Sequence, residues 1–171
     1  MREQKGLSKE PAVGDKVISL HNHWDYFSHN GTWALTNGAI GTIANIRKQE
    51  IYVPRYISNN PVKYMFSDIV LDDLDQFTQT PIDYLALTTG ESALNAKQHY
   101  LWRRNTRITI SPPFDFSYAY AITCHKAQGS EWDKVLVFEE GFPYNAEEHK
   151  RWLYTAITRA KEKVVAIRSE Q

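Results

Sequence analysis

The run Ala121-Ile122-Thr123-Cys124-His125-Lys126-Ala127-Gln128-Gly129-Ser130-Glu131-Trp132-Asp133 gathers a hydroxyl, an imidazole and an ammonium in one short segment, at Thr123, His125 and Lys126. Such groups donate hydrogen bonds and suit the phosphate oxygens of a nucleic-acid strand. Gly129 lets the backbone turn closely against a ligand, and Glu131 adds an acceptor. A second run, Leu153-Tyr154-Thr155-Ala156-Ile157-Thr158-Arg159-Ala160-Lys161, carries Arg159, whose guanidinium is always charged and fork-shaped. Taken singly, these residues have plainer readings. His125 and Lys126 fit a solvated turn, and Arg159 fits a surface salt bridge with Glu162 or Glu131.

Residues 1–10 are polar and read as a loose tail. From Pro11 to about Val70, short β-branched or aromatic segments (15–20, 39–46, 50–53 and 64–70) alternate with turn residues, the pattern of a small barrel. Asn37-Gly38 and Gly41 supply places for positive φ at turns or bulges. Ser92 is placed to cap a helix to about Arg104, Ile108 to Ile110 returns to strand, and Pro112-Pro113 marks the expected domain boundary. Beyond it, Tyr118 to Thr123 and Lys134 to Phe138 read as strands. Asn145 caps a helix with acidic Glu147 and Glu148 in its first turn, and Val164 to Ile167 is a last strand. Strand, strand, helix, strand is the tail of a parallel α/β sheet. Such a sheet would place Thr123, His125 and Lys126 at its carboxyl edge, and would carry Arg159 on a helix. The expected fold is α/β plus β, a small barrel at 11–112 with an inserted helix near 92–104, joined to a partial parallel α/β domain at 113–171.

The two runs resemble motifs V and VI of superfamily 1 helicases, most closely the RecD/Dda branch. There a strand leads into Thr-x-His-Lys-x-Gln-Gly-Ser-Glu, and a later helix carries Tyr-Thr-x-Ile-Thr-Arg-Ala. Both motifs match nearly residue for residue, in order and at a plausible separation, which favours the functional reading over the plain one. The resemblance implies single-stranded DNA contacts at Thr123, His125 and Lys126, and nucleotide contacts at Gln128, Gly129, Glu131 and Arg159. Glu131 would meet the ribose hydroxyl, and Arg159 would be the arginine finger that reaches a γ-phosphate held by another domain. Gly14-Asp15-Lys16-Val17 and Thr36-Asn37-Gly38-Ala39-Ile40-Gly41-Thr42-Ile43 resemble the SH3-like 2B insertion of the same helicases. The implied partners are single-stranded DNA and a missing N-terminal RecA-like domain. The implied cofactors, ATP and Mg²⁺, belong to the complete helicase rather than to this chain alone, and the implied polarity is 5′ to 3′.

Several classes are set aside by composition. Twenty Lys plus Arg balance twenty Asp plus Glu, so DNA contact must be local rather than spread over a basic surface. A single cysteine excludes an internal disulfide, and the N-terminus has no apolar signal region. No apolar run is long enough to span a bilayer, so a cytoplasmic setting is expected. No Gly is followed by Lys, so the Walker A loop that ATP hydrolysis requires is not in this sequence. Ile69-Val70-Leu71-Asp72-Asp73 imitates a Walker B strand but reads as a barrel strand ending in an acidic turn. His21, His23 and His29 fit no familiar zinc spacing, so no metal site is expected. Trp102-Arg103-Arg104-Asn105-Thr106-Arg107 is the one concentrated basic patch. Trp102, Arg103, Arg104 and Arg107 suit DNA, the tryptophan stacking on a base, as readily as they suit an exposed helix end. The rival to a helicase fragment is a freestanding SH3-like binding module with a vestigial helicase tail.

Overall fold

The computed structural model describes residues 8, 10–72, 74–139 and 145–168. The chain divides into two compact units, Met1–Ala121 and Ile122–Gln171. The division falls after Ala121 rather than at Pro112-Pro113, because the residues after that pair complete the first unit. Phe114 and Phe116 lie in its core, and the strand they lead into pairs with the first strand of the chain.

The first unit is built on strands β1 (Lys16–Ser19), β2 (His23–Phe27), β3 (Ala34–Leu35), β4 (Ile40–Ile43), β5 (Arg47–Ile51), β6 (Val62–Val70), β7 (Gln76–Asp83) and β8 (Phe116–Tyr118). Its main sheet is antiparallel and runs β5-β6-β4-β1-β8, with β7 also paired to β6; β2 and β3 form a separate hairpin. An isolated bridge between Ile82 and Phe114 ties the chain just before β8 back to β7. β1 pairs with β4 on one side and β8 on the other, and its Val17, Ile18 and Ser19 are all buried. Gly38 has the left-handed φ expected of it, at 90°, but Gly41 does not. Gly41 is needed for close approach: a Cβ there would collide with the Ile69 side chain and lie 2.9 Å from the Val70 carbonyl oxygen. Of the Walker B imitation, residues 69–72 run from β6 into the turn after it, where the Leu71 N–H donates to the Asp75 carbonyl, and Asp73 lies outside the described residues.

Two helices complete the unit, α1 (Tyr84–Thr89) and α2 (Ala96–Arg103). The helix expected from Ser92 starts later, because Asn95 caps it through a reciprocal pair with Gln98. Ser92 instead donates to Asp83, the buried carboxylate that caps α1. The strand expected at Ile108–Ile110 is not formed. One apolar cluster centres on Val17, Ile43, Met65, Phe77 and Phe116; a second holds Ile57, Val62, Tyr64, Leu94 and Trp102.

The second unit contains β9 (Trp132–Glu139), α3 (Ala146–Ile157) and β10 (Ala160–Arg168), with β9 and β10 parallel. Asn145 caps α3 by accepting from the Glu148 N–H, as the sequence predicts. Register aligns Val165 with Leu136 and Ile167 with Phe138. These four apolar side chains share one face of the strand pair, with Leu136 65% and Phe138 55% exposed. No helix among the described residues is long and apolar enough to cross a membrane.

Candidate nucleotide and nucleic-acid site

The segment from Thr123 to Ser130 is a chain of tight turns rather than the end of a strand. Ala127 N–H donates to the Thr123 carbonyl at 3.1 Å, Gln128 N–H to His125, and Ser130 N–H to Ala127. The strand expected over 118–123 is shorter and earlier, since only Phe116–Tyr118 pairs, and it does so with β1. The donors therefore precede β9 instead of following a strand's carboxyl end. Thr123, His125, Gln128, Gly129 and Glu131 are exposed and Lys126 is half-buried. Gly129 has φ 84° with open space on its Cβ side, so its role here is conformational.

Arg159 lies just beyond α3, in the turn into β10, rather than on the helix. Its Nε donates to the Thr155 carbonyl at 3.2 Å, one terminal nitrogen to the Ser130 carbonyl at 3.3 Å, and the other to Thr158 Oγ1 at 3.2 Å. In return the Trp132 N–H donates to the Arg159 carbonyl at 2.9 Å. Arg159 thus ties the end of the first run to the end of the second. Among the described residues Glu131 pairs with Lys161, at 4.0 Å, rather than with Arg159. The plain reading of Arg159 as half of a salt bridge is replaced by a backbone-anchored guanidinium. Because Ala160 is in register with Trp132, both runs meet at the same end of the parallel pair.

Beside this corner is a cavity of about 370 Å³ whose lining includes Cys124, His125, Gln128, Glu148, Arg151 and Trp152. Glu148, Arg151, Trp152 and Thr155 recur at helical spacing along one side of α3. That periodicity was available in the sequence, but nothing there told which side of the helix the turn would face. The Cys124 thiol donates weakly to the Trp152 carbonyl at 3.5 Å. Burial pushes its pKa up, against the opposing pull of the Arg159 charge, so the thiol stays protonated and is a packing group rather than a nucleophile.

The basic patch divides. Trp102 is 1% exposed, and its indole N–H donates to the Ile110 carbonyl at 2.9 Å. It is a core residue and offers no face to a base, which corrects the stacking expectation. Arg103, Arg104 and Arg107 are exposed at the end of α2 and beyond, with Arg104 donating to Tyr100 Oη at 2.7 Å. His29 does not share the cavity that His21 and His23 line, and no group of three potential metal ligands occurs among the described residues.

Residues 118–167 match the family model described as UvrD-like helicase C-terminal domain. The match makes this segment similar to the C-terminal part of a helicase. An uncharacterized protein of Methanocaldococcus jannaschii is 26% identical over 167 residues, covering 93% of this chain. The chain spans 11% of that protein's length.

Proposed function

We propose that the second unit is the closing part of a RecA-like motor domain in a superfamily 1 DNA helicase of the RecD/Dda type. The observation that carries this reading is the convergence of both runs at one end of the β9–β10 pair, within a segment similar to a helicase C-terminal domain. Thr123, His125 and Lys126 would hold phosphates of single-stranded DNA. Gln128, Gly129 and Glu131 would face the nucleotide, with Arg159 as the arginine finger toward ATP and Mg²⁺ held by an N-terminal RecA-like domain. Parallel strands are ordinarily covered on both faces. The exposed face of Leu136, Phe138, Val165 and Ile167 is what such a sheet presents before its other elements pack on it. The first unit would be the SH3-like 2B insertion, a reading supported by its antiparallel sheet and the Ile82–Phe114 bridge from β7 to the chain before β8. Translocation would run 5′ to 3′.

On this reading the chain alone hydrolyses no ATP, with or without DNA, because it has no Walker A lysine. Its single-strand binding is weak and falls steeply as salt rises, since phosphate contacts release counterions. Steady-state hydrolysis and fluorescence anisotropy across a salt series check both statements. DNA-stimulated turnover by the pure chain, or tight binding that persists in high salt, would overturn them.

A further inference from the structure

The first unit has a second cavity, of about 430 Å³, within the range of small-molecule sites. His21, His23, His99, Tyr100, Arg103 and Asp115 are among the residues that line it. His23 is 5% exposed and stacks on Phe114 at 3.7 Å between ring centroids, yet neither of its nitrogens has a hydrogen-bond partner. Asp115 shares one carboxylate oxygen with His21 at 3.3 Å, while its other oxygen, Oδ1, is buried without a partner. Unmatched buried acceptors of this kind cost free energy unless something enters to satisfy them. Burial, reinforced by the positive charge of Arg103, lowers the His23 pKa to about 4, so its imidazole is neutral near pH 7 and offers one donor and one acceptor.

This donor set narrows the ligand. A phosphate would meet Arg103 but also the Asp115 carboxylate. A cation would meet Asp115 but also Arg103, and no three side chains here converge for a metal. A neutral ring with N–H donors beside a carbonyl or ring-nitrogen acceptor matches all of them, and the exposed Tyr100 at the rim offers a face for stacking. We propose that this cavity receives one unpaired nucleobase bearing an exocyclic amino group, with Asp115 and His23 accepting from it, Arg103 donating to its acceptor edge and Tyr100 stacking on it. The site lies in the first unit, outside residues 118–167, so its test is separate from that of the Arg159 reading.

Cytosine carries the amino group and thymine does not, so short oligodeoxycytidylate and oligodeoxythymidylate strands are the probes. Affinity is read by anisotropy at neutral pH, and the His23 and His99 imidazole signals by NMR. Oligodeoxycytidylate is expected to bind about tenfold more tightly, the scale of one charge-assisted hydrogen bond, and to shift both imidazole signals. Asp115→Asn should erase the preference. His23→Phe, which keeps a ring against Phe114 while removing the nitrogens, should reduce it and serves as the test if the first variant fails to fold. Equal affinity for the two strands, a cytosine preference that survives both substitutions, or imidazole shifts produced by Zn²⁺ alone and by neither strand would overturn the proposal.

Discussion

Arg159→Ala, made in a polypeptide that joins this segment to a domain carrying Walker A and Walker B motifs, is expected to lower DNA-stimulated ATP turnover by about 10³- to 10⁵-fold. The proposed reason is electrostatic. Charge spreads over the γ-phosphoryl group in the transition state, and a guanidinium already held in place helps most at that moment. Here Arg159 is held by the Thr155 carbonyl, the Ser130 carbonyl and Thr158 Oγ1. ATP binding should fall only modestly. Arg159→Lys should rescue poorly, because a point charge cannot reproduce the fork. A purely structural role for these hydrogen bonds makes a different forecast: the melting temperature would drop while turnover per folded molecule stayed near normal. Steady-state rates of the three proteins, with folding followed by circular dichroism, separate the two.

The second large effect is on stability. Trp102 fills the cluster of Ile57, Val62, Tyr64, Phe66 and Leu94, with its ring centroid 5.9 Å from that of Tyr64. Trp102→Ala removes that packing and strands the Ile110 carbonyl, so a loss of about 3–5 kcal/mol is expected. That is a large fraction of the roughly 5–15 kcal/mol that holds a domain folded. Trp102→Phe should cost less and leave affinity for single-stranded DNA unchanged, since the indole faces the core. Urea unfolding of the first unit gives the stability. A Trp102→Ala variant within about 1 kcal/mol of the parent would place the side chain outside the core.

Trp102 also shows where sequence reading stopped. It stands beside two arginines in a basic run that suits DNA, yet its side chain is buried with Ile57, Val62 and Leu94. The elements that were legible carry strong local signals. These include β4, β6, β9 and β10 from their β-branched and aromatic runs, and α3 from its Asn145 cap and acidic first turn. β7 was hidden by Pro81, which sits opposite Phe66 in the ladder and ordinarily argues against a strand. The short α1 was hidden too, since its cap, Asp83, is a residue of β7. At the candidate site the motif residues themselves were readable. Their partners Arg151 and Trp152 were not, because a helical period shows faces without showing what opposes them. The His23–Asp115 cavity draws on β2, α2 and the approach to β8, so no linear pattern marks it.

On the proposed reading, the turns before β9 and the turn after α3 form one nucleic-acid and nucleotide corner. Backbone amide NMR of the chain, titrated with a short single-stranded oligonucleotide at low salt, tests it most directly. Shifts at Thr123, His125 and Lys126, vanishing as salt is raised, are the expected result. A saturating strand that leaves every resonance of the second unit unmoved would contradict it, whatever happens at the His23 cavity of the first.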